Sequence, residues 1–215
     1  MNLREIKKSY DAIIGLGSAC DPALQLRRKN LRTFSSPLDW VVTLSLSDVS
    51  RLLKNKFKDY MDLNHMKLID GKAHVIEDGV IQPLKSYFVK DSYYNIISVH
   101  DFPILPHQEW YEILPAFKEK INPRIDRLLE KIINSKSILF IRWAAKYEEV
   151  VELKLVLSEM TKGQFHILVL CPEDGLQSVE EMEWGIDQVC SIKVPNLSSD
   201  TITWDYALDG ITLSQ

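Results

Sequence analysis

The chain has 215 residues, of which 46% are hydrophobic and 26% charged, and its net charge is −4. That composition excludes a disordered chain, and the length fits one domain better than two, with core enough to need neither disulfides nor a structural metal. The acidic balance supplies no long-range attraction for nucleic acid or an anionic membrane surface, so neither is expected as a partner.

Met1–Lys8 is charged and is followed by no apolar stretch of signal-peptide type. Tyr10–Gly17 is a short apolar run ending in glycines, which predicts a buried strand that stops abruptly. Asp21-Pro22 then reads as a helix start, continuing through Leu24, Arg27, Arg28 and Leu31 to about Asn30. Its Arg27-Arg28-Lys29 cluster reads as a solvated helix face. Ser45-Leu46-Ser47-Asp48 predicts a cap before a helical face of Val49, Leu52, Leu53 and Phe57. Ala73–Ile81, with Glu77-Asp78-Gly79 at its centre, predicts a hairpin inside an insertion or lid spanning about 61–95. Tyr93–Val99 is a strand closed by His100-Asp101-Phe102-Pro103. Asn122-Pro123 opens a helix with apolar positions Ile125, Leu128, Leu129, Ile132 and Ile133. Ser137–Ile141, Phe165–Leu170 and Val189–Val194 read as strands, with a helix through Val150, Leu153, Leu157 and Met160 between the first two. The apolar runs fall far short of the ~20 residues a membrane span needs. Trp204, Tyr206 and Leu208 would dock intramolecularly or form a dimer face. The expected architecture is a single three-layer α/β domain, 1–215, with a mostly parallel sheet and the hairpin insertion.

Three cysteines, at 20, 171 and 190, form no CxxC pair, which fits a reducing compartment and a cytoplasmic protein. Cys20 stands apart from the other two. It follows strand and glycines and precedes a helix, where an open α/β sheet binds its ligands. The helix N-terminus favours thiolate over thiol. Backbone N–H groups around Gly17, Ser18 and Cys20 are candidates for an oxyanion hole, glycine letting a substrate approach closely. His100, at a strand end, is the candidate base, and such a pair activates the thiol and supplies a proton to the leaving group.

Ile14-Gly15-Leu16-Gly17-Ser18-Ala19-Cys20, then Leu26-Arg27-Arg28, Ser36-Pro37-Leu38-Asp39-Trp40 and His100-Asp101-Phe102, resemble the DUF1796 family, a bacterial family of unknown function described as putative papain-like cysteine peptidases. Its pattern is G-S-x-C, a helix with leucine and arginine, P-F-D-W and H-D-F. Leu38 stands here where phenylalanine is usual, a conservative apolar change. The resemblance covers roughly residues 10 to 105 and extends weakly to Phe140-Ile141-Arg142. It implies Cys20 as nucleophile, His100 as base and, for fold, an α+β papain-like alternative. Asp39 is preferred as the orienting acid, because Asp101 would point to the opposite strand face from His100. Trp40, Asp101 and Arg142 join Gly17 and Ser18 as candidate substrate contacts, Arg142 as a clamp for a carboxylate or phosphate.

Other chemistries fit less well. Gly15-Leu16-Gly17 has Cys20 where a dinucleotide fingerprint needs its third glycine. His100, Asp101, His107 and Glu109 lack zincin spacing, and no G-x-S-x-G elbow surrounds Ser18. No metal or cofactor is expected. The leading expectation is thiol-dependent hydrolysis or acyl transfer on a peptide, amide or ester, the two sharing one covalent intermediate. The alternative is a non-catalytic α/β module holding an anion at the Gly15–Cys20 turn.

Overall fold

The structure, a computed structural model, describes residues 1–77 and 79–214; Asp78, expected at the hairpin turn, lies outside them. The described residues form a mixed α/β fold with five α-helices and several sheets.

The N-terminal apolar run breaks in two. β1 (Ser9–Tyr10) pairs with β11 (Thr212–Leu213), while β2 (Ala12–Gly15) enters the large sheet. The break is Asp11, whose carboxylate accepts the N–H groups of Lys136 and Ser137. β2 lies beside β7 (Ser137–Trp143), then β8 (Gln164–Glu173), β10 (Val189–Pro195) and the edge strand β9 (Glu180–Met182). The first four are parallel and β9 is antiparallel. These strands are apolar at successive positions because both faces are covered. Ile138, Phe140, Ile167 and Val169 join one core, with α3 (Leu114–Asn134) and α4 (Tyr147–Met160). Leu139, Ile141, Leu168 and Leu170 join another, with α5 (Thr201–Leu208). Trp204 and Leu208 of α5 are buried, Trp204 stacking on Trp143 at 6.0 Å, and Tyr206 stays exposed. The C-terminal apolar residues thus dock within the chain.

One sheet does not account for the rest. β3 (Val41–Thr43), β6 (Ile96–Pro103), β5 (Val80–Asp91) and β4 (Met66–Glu77) form a separate antiparallel sheet in that order. β4 and β5 make the long hairpin. Its distal part bulges, with Gln82, Pro83 and Leu84 lying opposite the single Val75. Bulges twist and bend an antiparallel pair. The tip reaches α1 (Asp21–Arg28), where a Cβ on Gly79 would collide with the Arg27 guanidinium. The core that holds α3 and α4 also takes in β3, β6 and α2 (Leu46–Lys54), joining the two sheets.

Two expected boundaries move. α3 begins at Leu114, with Pro115 in its first turn, and Pro123 lies inside it. An interior proline forfeits one helical hydrogen bond. Here Phe117 and Ile121 extend the stripe of Leu128 and Ile132 upstream, and their burial holds the first turns. β6 runs on through His100 to Pro103 instead of stopping at Val99. Among the described residues no helix is long and apolar enough to cross a membrane.

Candidate active site

Cys20 is the residue immediately before α1, which starts on Asp21-Pro22 as a fixed proline φ at a first helical turn favours. The turn that delivers it carries two consecutive left-handed residues, Gly17 at φ +73° and Ser18 at +82°. Ser18 pays backbone strain there. It is held by Thr43, whose Oγ1 accepts the Ser18 N–H at 3.0 Å and whose N–H donates to the Ser18 carbonyl at 3.3 Å.

Behind the turn lies Arg142, 1% exposed. Its guanidinium donates to Leu16 O, Thr43 O, Thr43 Oγ1 and Ala144 O at 2.6–2.9 Å. Burial pulls its pKa down to about 10, which still leaves it charged at neutral pH. A substrate clamp needs a free fork. Arg142 instead ties the β2 turn to β3 and β7, as a structural cation.

His100 sits within β6 at an irregularity, where Val99, His100 and Asp101 lie opposite the single Phe88. Its Nε2 is 3.1 Å from Cys20 Sγ across 80 residues of sequence. Its Nδ1 is 2.6 Å from the carbonyl oxygen of His74 on β4. A carbonyl only accepts, so Nδ1 carries the hydrogen and neutral His100 turns the Nε2 lone pair toward the thiol. The expected orienting acid is therefore not in that position. Asp39 is buried against Arg32 at 2.7 Å and accepts the Ser36 N–H at 2.7 Å. Asp101 faces away from His100, accepting from Lys120 at 2.6 Å and Ser98 at 2.9 Å. Alternation along β6 put it on the far side, and Lys120 of α3 fixes it there.

The electrostatics oppose a resting thiolate. Burial pushes the Cys20 thiol up to about 12, with the Asp21, Asp101 and Asp39 carboxylates adding to the rise. This overrides the lowering expected of a helix N-terminus. Burial also lowers the His100 pKa, against the smaller raising effect of the His74 carbonyl. At neutral pH the pair is thus thiol and imidazole.

Around the pair, Trp40 stands edge-on to His100, centroids 6.4 Å apart at 86°. With Ala23 and the hairpin's Ile76 it forms an apolar cluster against which Cys20 packs. Gly17 faces β3: a Cβ there would meet Thr43 Oγ1 at 3.3 Å and Val41 Cγ2 at 3.5 Å. The side-chain position of Gly17 is thus turned to β3, and the Ser18 N–H is already taken by Thr43. Sequence reasoning missed the His74 carbonyl, Thr43 and Ile76. The first has no side-chain signature, and the other two reach the site only through the pairing of distant strands.

A protein of Acanthamoeba polyphaga mimivirus, named Uncharacterized protein R408, is 29% identical over 168 residues, which cover 74% of this chain and 75% of the viral one. That similarity carries the pattern beyond the bacterial setting expected from the motifs. No solved structure matches the chain. The model of the family described as "Putative papain-like cysteine peptidase (DUF1796)" matches residues 11–174, and the chain belongs to that family.

Proposed function

We propose that the protein is a cysteine-dependent hydrolase of peptidase type, with Cys20 as nucleophile and His100 as general base, acting on a peptide, amide or ester. The observation that carries this reading is the Sγ–Nε2 approach of 3.1 Å, with Nδ1 anchored on the His74 carbonyl. Because the resting pair is neutral, the thiol proton moves to Nε2 as Sγ attacks the carbonyl carbon and the C=O pair shifts onto oxygen. Collapse of that adduct expels the leaving amine or alkoxide, which takes the proton from Nε2. Water then releases the acyl group by the reverse proton path. An acceptor amine or hydroxyl in place of water turns the same acyl-enzyme into an acyltransferase. His74 completes a triad-like arrangement through its main chain, and the protein works in the reducing cytoplasm its three free cysteines suit.

The anion-binding alternative is weaker. Three carboxylates act on Cys20, and the Ser18 N–H that an anion would use is given to Thr43. The test uses protein carrying Cys171→Ser and Cys190→Ala, treated with p-nitrophenyl acetate. A Cys20-linked acetyl adduct of +42 Da is expected by mass spectrometry, formed at least tenfold more slowly in His100→Ala. The absence of any adduct, or an equal rate without His100, would sink the proposal.

A further inference from the structure

We infer that the indole N–H of Trp40 is an oxyanion donor: it receives the carbonyl oxygen of the acyl group as Cys20 attacks. This rests on the acyl-transfer reading above and adds a catalytic residue to it.

An attacking thiol leaves negative charge on the former carbonyl oxygen, and a hole for it needs donors aimed from a water-poor surface. The Cys20 N–H, just before the first turn of α1, is one candidate. In the turn before it, the Ser18 N–H is already held by Thr43 Oγ1. The described residues contain three buried side-chain nitrogens without an acceptor or donor: Trp40 Nε1, His65 Nδ1 and His166 Nδ1. The two imidazole nitrogens can simply carry no hydrogen, whereas an indole nitrogen always carries one. Trp40 is therefore the single case of a donor that must lack its partner. It is also the one whose ring belongs to the cluster touching Cys20.

Trp40 is built to stay put. It is 2% exposed, with the Arg32 guanidinium 5.6 Å over its ring and His100 against it edge-on. Arg32 in turn is held by Asp39, which the Ser36 N–H also holds. Asp39 thereby positions the indole through Arg32. Nε1 is closed to water in this structure, so the carbonyl oxygen meets it only as the acyl group on Cys20 displaces the packing of Ala23 and Ile76 around the indole.

Two reagents separate this role from packing. Acetylation by p-nitrophenyl acetate passes through an oxyanion; alkylation by iodoacetamide displaces iodide at carbon and forms none. In the protein carrying Cys171→Ser and Cys190→Ala, Trp40→Phe keeps an aromatic ring and removes the N–H. The expected result is acetylation of Cys20 slowed about a hundredfold, with alkylation changed less than twofold. Replacing Trp40 with β-(3-benzothienyl)alanine, which keeps the bicyclic shape and lacks the N–H, repeats the test without a cavity. Equal losses with both reagents in both variants would overturn the inference in favour of packing. Unchanged acetylation would overturn it outright. If the unsubstituted Trp40 protein is alkylated but never acetylated, the acyl-transfer reading falls and takes this inference with it.

Discussion

Cys20 and His100 arrive from sheets built in opposite ways. The nucleophile stands at the carboxyl end of a parallel strand, on a turn locked by a buried arginine and covered on both faces. The base stands in an antiparallel sheet that is irregular at both ends of its chemistry, at Val99–Asp101 of β6 and at Gln82–Leu84 of the hairpin. Its anchor, the His74 carbonyl, belongs to an arm whose far end is exposed at Val80 and Ile81. Irregular pairing over a thin core is where local opening is cheapest. The contrast is between a fixed nucleophile and a base whose alignment depends on an arm.

Breaking the fixed side should give the largest loss. Arg142→Met strands three carbonyl oxygens and the Thr43 hydroxyl, and denaturant unfolding should show a loss on the order of 3–5 kcal/mol. His166, on the parallel sheet, gives a pH route to the same region. Burial pulls its pKa down to about 4, with Lys8 adding. The folded state therefore binds fewer protons than the unfolded one, whose histidine titrates near 6.5. Stability should be intact above that value, fall by roughly 2–3 kcal/mol as pH drops from 6.5 to 4, and level off below. His166→Phe should flatten that slope in pH-dependent melts. On the arm, Ile76→Ala removes most of the contact with Trp40 and Ala23. Stability should fall by only about 1–2 kcal/mol, while acetylation of Cys20 drops about tenfold. A loss of stability as large as that of Arg142→Met would mean the arm is not separable and the comparison fails. The smallest effect belongs to the strained turn: Ser18→Gly should raise stability by about 0.5–1 kcal/mol in the same unfolding assay, as a left-handed backbone costs glycine little.

Much of this was legible in the residues. Asp21-Pro22, the Ser45 cap and the apolar runs of β7, β8 and β10 each declare their element locally. The family pattern pointed to Cys20 and His100 together, which periodicity alone could not join across 80 residues. The second sheet was not legible, because the pairing of Val41–Thr43 with Ile96–Ser98 depends on long-range partners rather than local preference. Pro123 misled because a proline usually marks a helix start, and only the burial of Phe117 and Ile121 shows the helix already under way. Asp39 was drawn into a catalytic role by its chemistry, and Arg32, which claims it, carries no signal of that pairing in its spacing.

The anchor of His100 has a consequence for how this site can be damaged. A carboxylate that orients a histidine is lost with one substitution, whereas the oxygen at position 74 is retained by all twenty amino acids. Position 74 is thus free to drift, and a comparison of related sequences would not mark it. The acceptor can be withdrawn only by moving the strand that carries it, so lesions that silence the base should map to the packing of the arm and not to the residue that holds the ring.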